Sequence, residues 1–136
     1  MSDYKSACLR YFDQQGIKYT EDNEGAVSVK YNGKNLRTVN ILVFFDKDGD
    51  NDVHLACWEI ASFHGDKYAA GLVACNALNG KYRWVSFFLD DDEDVQAAMD
   101  AIVDSQTVGE ECLQLVKRMV GIIDGAYPEL MKALYA

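Results

Sequence analysis

Four aspartates at alternating positions, Asp46, Asp48, Asp50 and Asp52, come nearest in this chain to a metal-ligating pattern. Calcium loops of this kind need a glycine at the sixth position for a sharp turn and a bidentate glutamate at the twelfth. Counted from Asp46, those positions hold Asn51 and Cys57, so the motif fails and the segment reads as a charged hairpin turn. His54, Cys57 and His64 raise a second option, a metal or thiol centre. Residues three apart on a strand point to opposite faces, so His54 and Cys57 cannot share a ligand locally, and zinc needs three or four converging ligands. Glu59 is the one carboxylate embedded in a long apolar strand, where burial would raise its pKa and suit it to acid–base work. An exposed or edge position is the plainer reading for it, and no glycine-rich phosphate loop or serine elbow accompanies it. On these grounds no catalytic residue, cofactor or metal is assigned.

Cys8, Cys57, Cys75 and Cys112 are scattered, with no C-x-x-C pair, and each sits among apolar neighbours. They are expected to be buried free thiols in a protein of the reducing cytoplasm. A net charge of −9, from 22 acidic and 13 basic side chains, repels phosphate backbones, which argues against nucleic acid as a partner. The N-terminal residues hold no uninterrupted apolar run of signal-peptide type, and the longest apolar stretches fall far short of the roughly 20 residues that span a bilayer, so no membrane partner is expected. The 136 residues fit one domain, 1–136, large enough for a single core.

The elements follow from periodicity. Tyr4, Ala7, Cys8, Tyr11 and Phe12 mark an amphipathic helix closed by Gly16. Val27, Val29 and Tyr31 alternate with polar residues up to Asn32-Gly33, which predicts a two-residue hairpin turn. Strands follow over Arg37 to Phe45 and from about Asp52 to Phe63, with a short leading strand at Lys18 to Glu21. A second helix begins at Gly65-Asp66 and ends near Asn79-Gly80. Another strand covers Tyr82 to Leu89, ahead of the acidic turn 90–94. Residues 95–103 fit helical and strand periods equally: alanine and methionine favour helix, the preceding turn favours strand. Thr107-Val108-Gly109-Glu110 reads as a capping box opening a last helix lined by Cys112, Leu115, Val116, Met119, Val120 and Ile123, with a separate short helical piece from Glu129 to Tyr135 after Pro128.

Two strands are apolar on both sides. Val39, Ile41, Val43 and Phe45 oppose Leu42 and Phe44, and Trp84 and Phe88 oppose Val85, Phe87 and Leu89. Antiparallel sheets commonly wet one face, so two-sided apolarity means that both faces are covered, by the chain's own helices or by a partner. Leu42, Phe44, Val85 and Phe87 are the candidate partner-binding residues, for a protein partner or a homodimer.

The phrases Leu9-Arg10-Tyr11-Phe12-Asp13-Gln14-Gln15-Gly16, Asn76-Ala77-Leu78-Asn79 before Arg83 to Leu89, and Tyr127-Pro128-Glu129-Leu130 resemble the YbjN family of bacterial proteins, described as sensory-transduction regulators with the fold of type III secretion chaperones. The resemblance implies an α+β fold with a mostly antiparallel sheet of five to six strands and three helices, in the order α-β-β-β-β-α-β-β-α. It also implies that 95–103 is a strand paired with 82–89. It carries no active-site residues. The expected function is a non-enzymatic protein-binding or regulatory module, the alternative being a small enzyme or metabolite-binding protein with a pocket between helix and sheet.

Overall fold

The computed structural model describes residues 3–46 and 51–136. Helix α1 (Asp3–Gln14) turns Tyr4, Cys8 and Phe12 inward at intervals of four, and all three are buried. It ends in a Schellman arrangement: Gly16, at φ 72°, donates its N–H to Asp13, and Ile17 donates to Phe12. Four strands follow, β1 (Thr20–Glu21), β2 (Val27–Tyr31), β3 (Val39–Phe45) and β4 (Asp52–Cys57), then a 3-10 turn and helix α2 (Tyr68–Lys81). Strands β5 (Ser86–Leu89) and β6 (Val95–Ile102) and the long helix α3 (Val108–Leu134) complete the chain.

The order α-β-β-β-β-α-β-β-α is the one implied by the resemblance. The six strands form one antiparallel sheet, ordered β1-β2-β3-β4-β6-β5. Residues 95–102 are strand throughout, paired with β4 on one side and β5 on the other. Two-sided pairing with Val95, Ala97 and Met99 facing the core outweighs the helical propensity of this segment.

One face of the sheet carries the core. Val29, Ile41, Leu55, Phe87 and Met99 pack there with Phe12, Leu78, Met119 and Ile123 of the helices. Helix α3 touches α1, α2 and β3 and so spans the whole layer. The hydroxyl of Tyr4 donates to the carbonyl of Asp52 at 2.7 Å and accepts the N–H of Asp46, tying α1 to the adjoining ends of β3 and β4.

Several local expectations are corrected. Asn32-Gly33 is not a two-residue turn, because β2 and β3 are joined by the longer loop 32–38 and Gly33 has no left-handed φ. That loop docks on α3: Asp124 accepts the N–H groups of Lys34, Asn35 and Leu36 at 3.1, 2.8 and 2.9 Å. A Cβ on Gly33 would lie 2.3 Å from the Asp124 carboxylate, so the glycine permits the approach. The last helix runs unbroken through Pro128 instead of restarting there. Proline removes the N–H that would bond to residue 124, and the freed carbonyl of Asp124 accepts the Asn35 side-chain amide at 3.0 Å instead. The capping box also differs from expectation: Thr107 makes no cap bond, and Glu111, not Glu110, reaches back to the N–H of Asp104. Helix α2 continues through Gly80 to Lys81, and β4 stops at Cys57. The strand expected from Tyr82 begins only at Ser86, since Trp84 adopts φ 78°.

Candidate protein-binding surface

Among the described residues, the side chains weighed for chemistry do not converge on one another. His54 stands on the helix-free face of the sheet, its Nδ1 2.7 Å from Asp100, whereas Cys57 is buried in the core. Burial pushes the Cys57 thiol up to about 11. His64 lies 3.5 Å from Glu93 in a separate loop. Glu59 is exposed at φ 56°, its N–H bonded to the Gln96 side chain, because the chain leaves the ladder after Cys57. Asp48 and Asp50 lie outside the described residues. The carboxylates of Asp90, Asp92 and Asp94 come within 4.8 Å of one another. That proximity belongs to a turn in which Asp90 accepts the N–H groups of Asp92 and Asp94 at 2.9 and 3.0 Å. These bonds, with the Gln96 amide, hold its carboxyl below the usual range.

The sheet face away from the helices offers a different feature. Strand alternation and register place Leu42, Ala56, Ala98 and Ser86 in one row across four strands, and Phe44, His54 and Asp100 in the next. The alanines make a shallow floor. Around it stand the larger groups: Phe44 meets the ring of His54 with centroids 5.7 Å apart and that of Trp58 at 6.2 Å. Trp58 is 57% exposed, Phe88 46% and Ile102 83%.

The four candidate residues therefore do not share one surface. Leu42 and Phe44 are on the helix-free face and only partly buried. Val85 and Phe87 belong to the core and are corrected accordingly, since Phe87 pairs with inward-facing Ala97. Trp58, Phe88 and Ile102 occupy the surface instead. Alternation correctly separates Phe88 from Phe87, but deciding which of them shares a face with Phe44 requires the register across three intervening pairings. Trp58 lies one residue past the end of β4 and continues the alternation of His54 and Ala56, a period that the strand expected from about Asp52 to Phe63 already contains.

Among the described residues no helix is long and apolar enough to cross a membrane. No curated protein matches the sequence. The crystal structure of YbjN, "a putative transcription regulator from E. coli", superposes with a TM-score of 0.64 at 15% identity, covering 92% of each chain. The Yersinia pestis type III secretion chaperone SycH, solved in complex with a stable fragment of YscM2, gives 0.55 at 11% identity over 88% of this chain and 96% of its own. At these identities the likeness is one of fold. The family model described as "Putative bacterial sensory transduction regulator" matches residues 9–131, and the chain belongs to that family, YbjN.

Proposed function

We propose that this chain is a non-enzymatic regulatory module that acts by binding a partner polypeptide on the helix-free face of its sheet. The observation that carries this is the asymmetry of the sheet. Three helices cover one face, while on the other, which no helix of the described residues covers, Trp58 and Phe88 are exposed and Leu42 and Phe44 partly so. Exposed apolar groups gathered in one patch mark interaction sites, whereas a small-molecule site is a concave pocket with a few converging polar groups. The chaperone fold supports the same reading, because SycH was solved with a protein fragment bound. The four free, buried cysteines support the cytoplasm as its setting.

Phe44→Glu tests the proposal. On an uncovered face it leaves the melting temperature within a few degrees of the parent while removing association with the partner, or with a second copy if the contact is homotypic. A Phe44→Glu protein that unfolds, or that associates as the parent does in sedimentation and capture, contradicts it.

A further inference from the structure

Strand β6 outruns its neighbour β5. The β5 pairing ends at Ser86 opposite Ala98, whereas β4 stays paired with β6 as far as Ile102. Successive residues of an antiparallel strand turn their backbone N–H and C=O to alternate sides. Val95 and Val103 donate on the β4 side, to Ala61 and Asn51, so Asp100 and Ile102 face the side that β5 has vacated. Among the described residues nothing bonds to those backbone groups.

The chain that would cover them turns away at Trp84, whose φ of 78° is rare for a bulky residue. The Trp84 ring is 57% exposed and stacks on the Arg118 guanidinium at 5.1 Å. Between Trp84, the end of β6 and α3 lies a cavity of about 240 Å³ with Leu115 and Glu111 in its wall. Glu111 is already engaged by the Asp104 N–H and the Thr107 hydroxyl, at 2.8 and 3.0 Å. Arg118 forms no ion pair among the described residues, although the protein carries a charge of −9. The outer edge of β5, by contrast, is closed: the Asn79 side chain takes both the N–H and the carbonyl of Phe87, at 2.7 and 2.9 Å.

We propose that the bare end of β6 binds a short extended segment of a partner polypeptide as an added strand. Its backbone pairs with Asp100 and Ile102 in line with β5, an apolar side chain enters the cavity over Leu115, and an acidic side chain meets Arg118. This contact uses the backbone edge of β6, and although the Ile102 side chain borders the helix-free face, it does not depend on Phe44.

A random heptapeptide library displayed on phage, selected against the full chain, supplies the probe. Enriched peptides should carry an apolar and an acidic residue two positions apart, the spacing of one strand face. The best of them, in synthetic form, should slow hydrogen exchange at the Asp100 and Ile102 amides at least tenfold. Ile102→Pro removes an N–H that the β4 ladder does not use and should weaken binding at least tenfold. Should that variant not fold, Arg118→Glu serves, and it should abolish the preference for an acidic residue. Phe44→Glu should bind the peptide as the parent does, which separates failure here from failure of the proposed docking face. No enrichment, protection centred on other amides, or equal binding by Ile102→Pro and Arg118→Glu overturns the proposal.

Discussion

Replacing Asp124 with alanine should detach the loop 32–38 from α3. The carboxylate accepts three backbone N–H groups, from Lys34, Asn35 and Leu36. A hydrogen bond is worth about 0.5–1.5 kcal/mol net, more when one partner is charged, but this site is solvent-exposed and the released donors can meet water. Taking the lower half of that range for each bond gives a loss of about 2 kcal/mol, which for a domain of this size lowers the melting temperature by roughly 6–10 °C. The Asp124 carboxyl is held below its usual 3.8, chiefly by the Leu36 N–H with those of Asn35 and Lys34 assisting. A depressed carboxyl contributes stability that is complete above the unfolded value and is lost as pH falls through the folded one. Calorimetry should therefore find the full gap between the parent and Asp124→Ala at pH 7, narrowing below about pH 3.8. Asp124→Asn, which keeps one acceptor oxygen, should fall between the two and change little with pH. Equal melting temperatures at pH 7, or a gap unchanged down to pH 2.5, would refute the clamp.

Phe87→Ala should cost about 3–5 kcal/mol in urea unfolding, as a fully buried aromatic, whereas Phe88→Ala one position on should cost less than about 1 kcal/mol; comparable losses would mean that the two sheet faces are misassigned. Gly109→Ala should destabilise by about 2 kcal/mol or more, because its Cβ would lie 2.2 Å from the Tyr11 Cβ where α3 crosses α1, and a variant as stable as the parent would argue against that close crossing. Alkylation at pH 8 should label the cysteines slowly in the native protein and all four after unfolding, since burial raises the Cys57 and Cys75 thiols and Cys112 is raised further by its hydrogen bond to Cys8. Rapid native labelling of Cys57 would contradict its place in the core.

The helices were legible because their apolar residues recur at the helical period, and Cys112, Val116, Met119 and Ile123 do line the buried stripe of α3. Residues 95–102 were not legible from local pattern, since both periods fit; the family resemblance supplied the strand, and pairing on both sides is the physical cause. The loop 32–38 was missed for a different reason. Asn-Gly is a strong local hairpin signal, and what overrides it is Asp124, about ninety positions away, whose influence no short window contains. The candidate surface was half legible. Two-sided apolarity identified β3 and the second half of 82–89, but Trp84 and Val85 precede β5, and Phe87 and Phe88 exchange roles with a one-residue change of register.

The claim that the helix-free face docks a polypeptide is tested most directly by installing a photo-reactive residue in place of Leu42, and separately in place of exposed Lys117 on α3, then irradiating in native lysate. Cross-linking from position 42 to one dominant polypeptide, identified by mass spectrometry, lost in the Phe44→Glu background and absent from position 117, is the predicted result. The same yield from both positions, or one indifferent to Phe44→Glu, would contradict it.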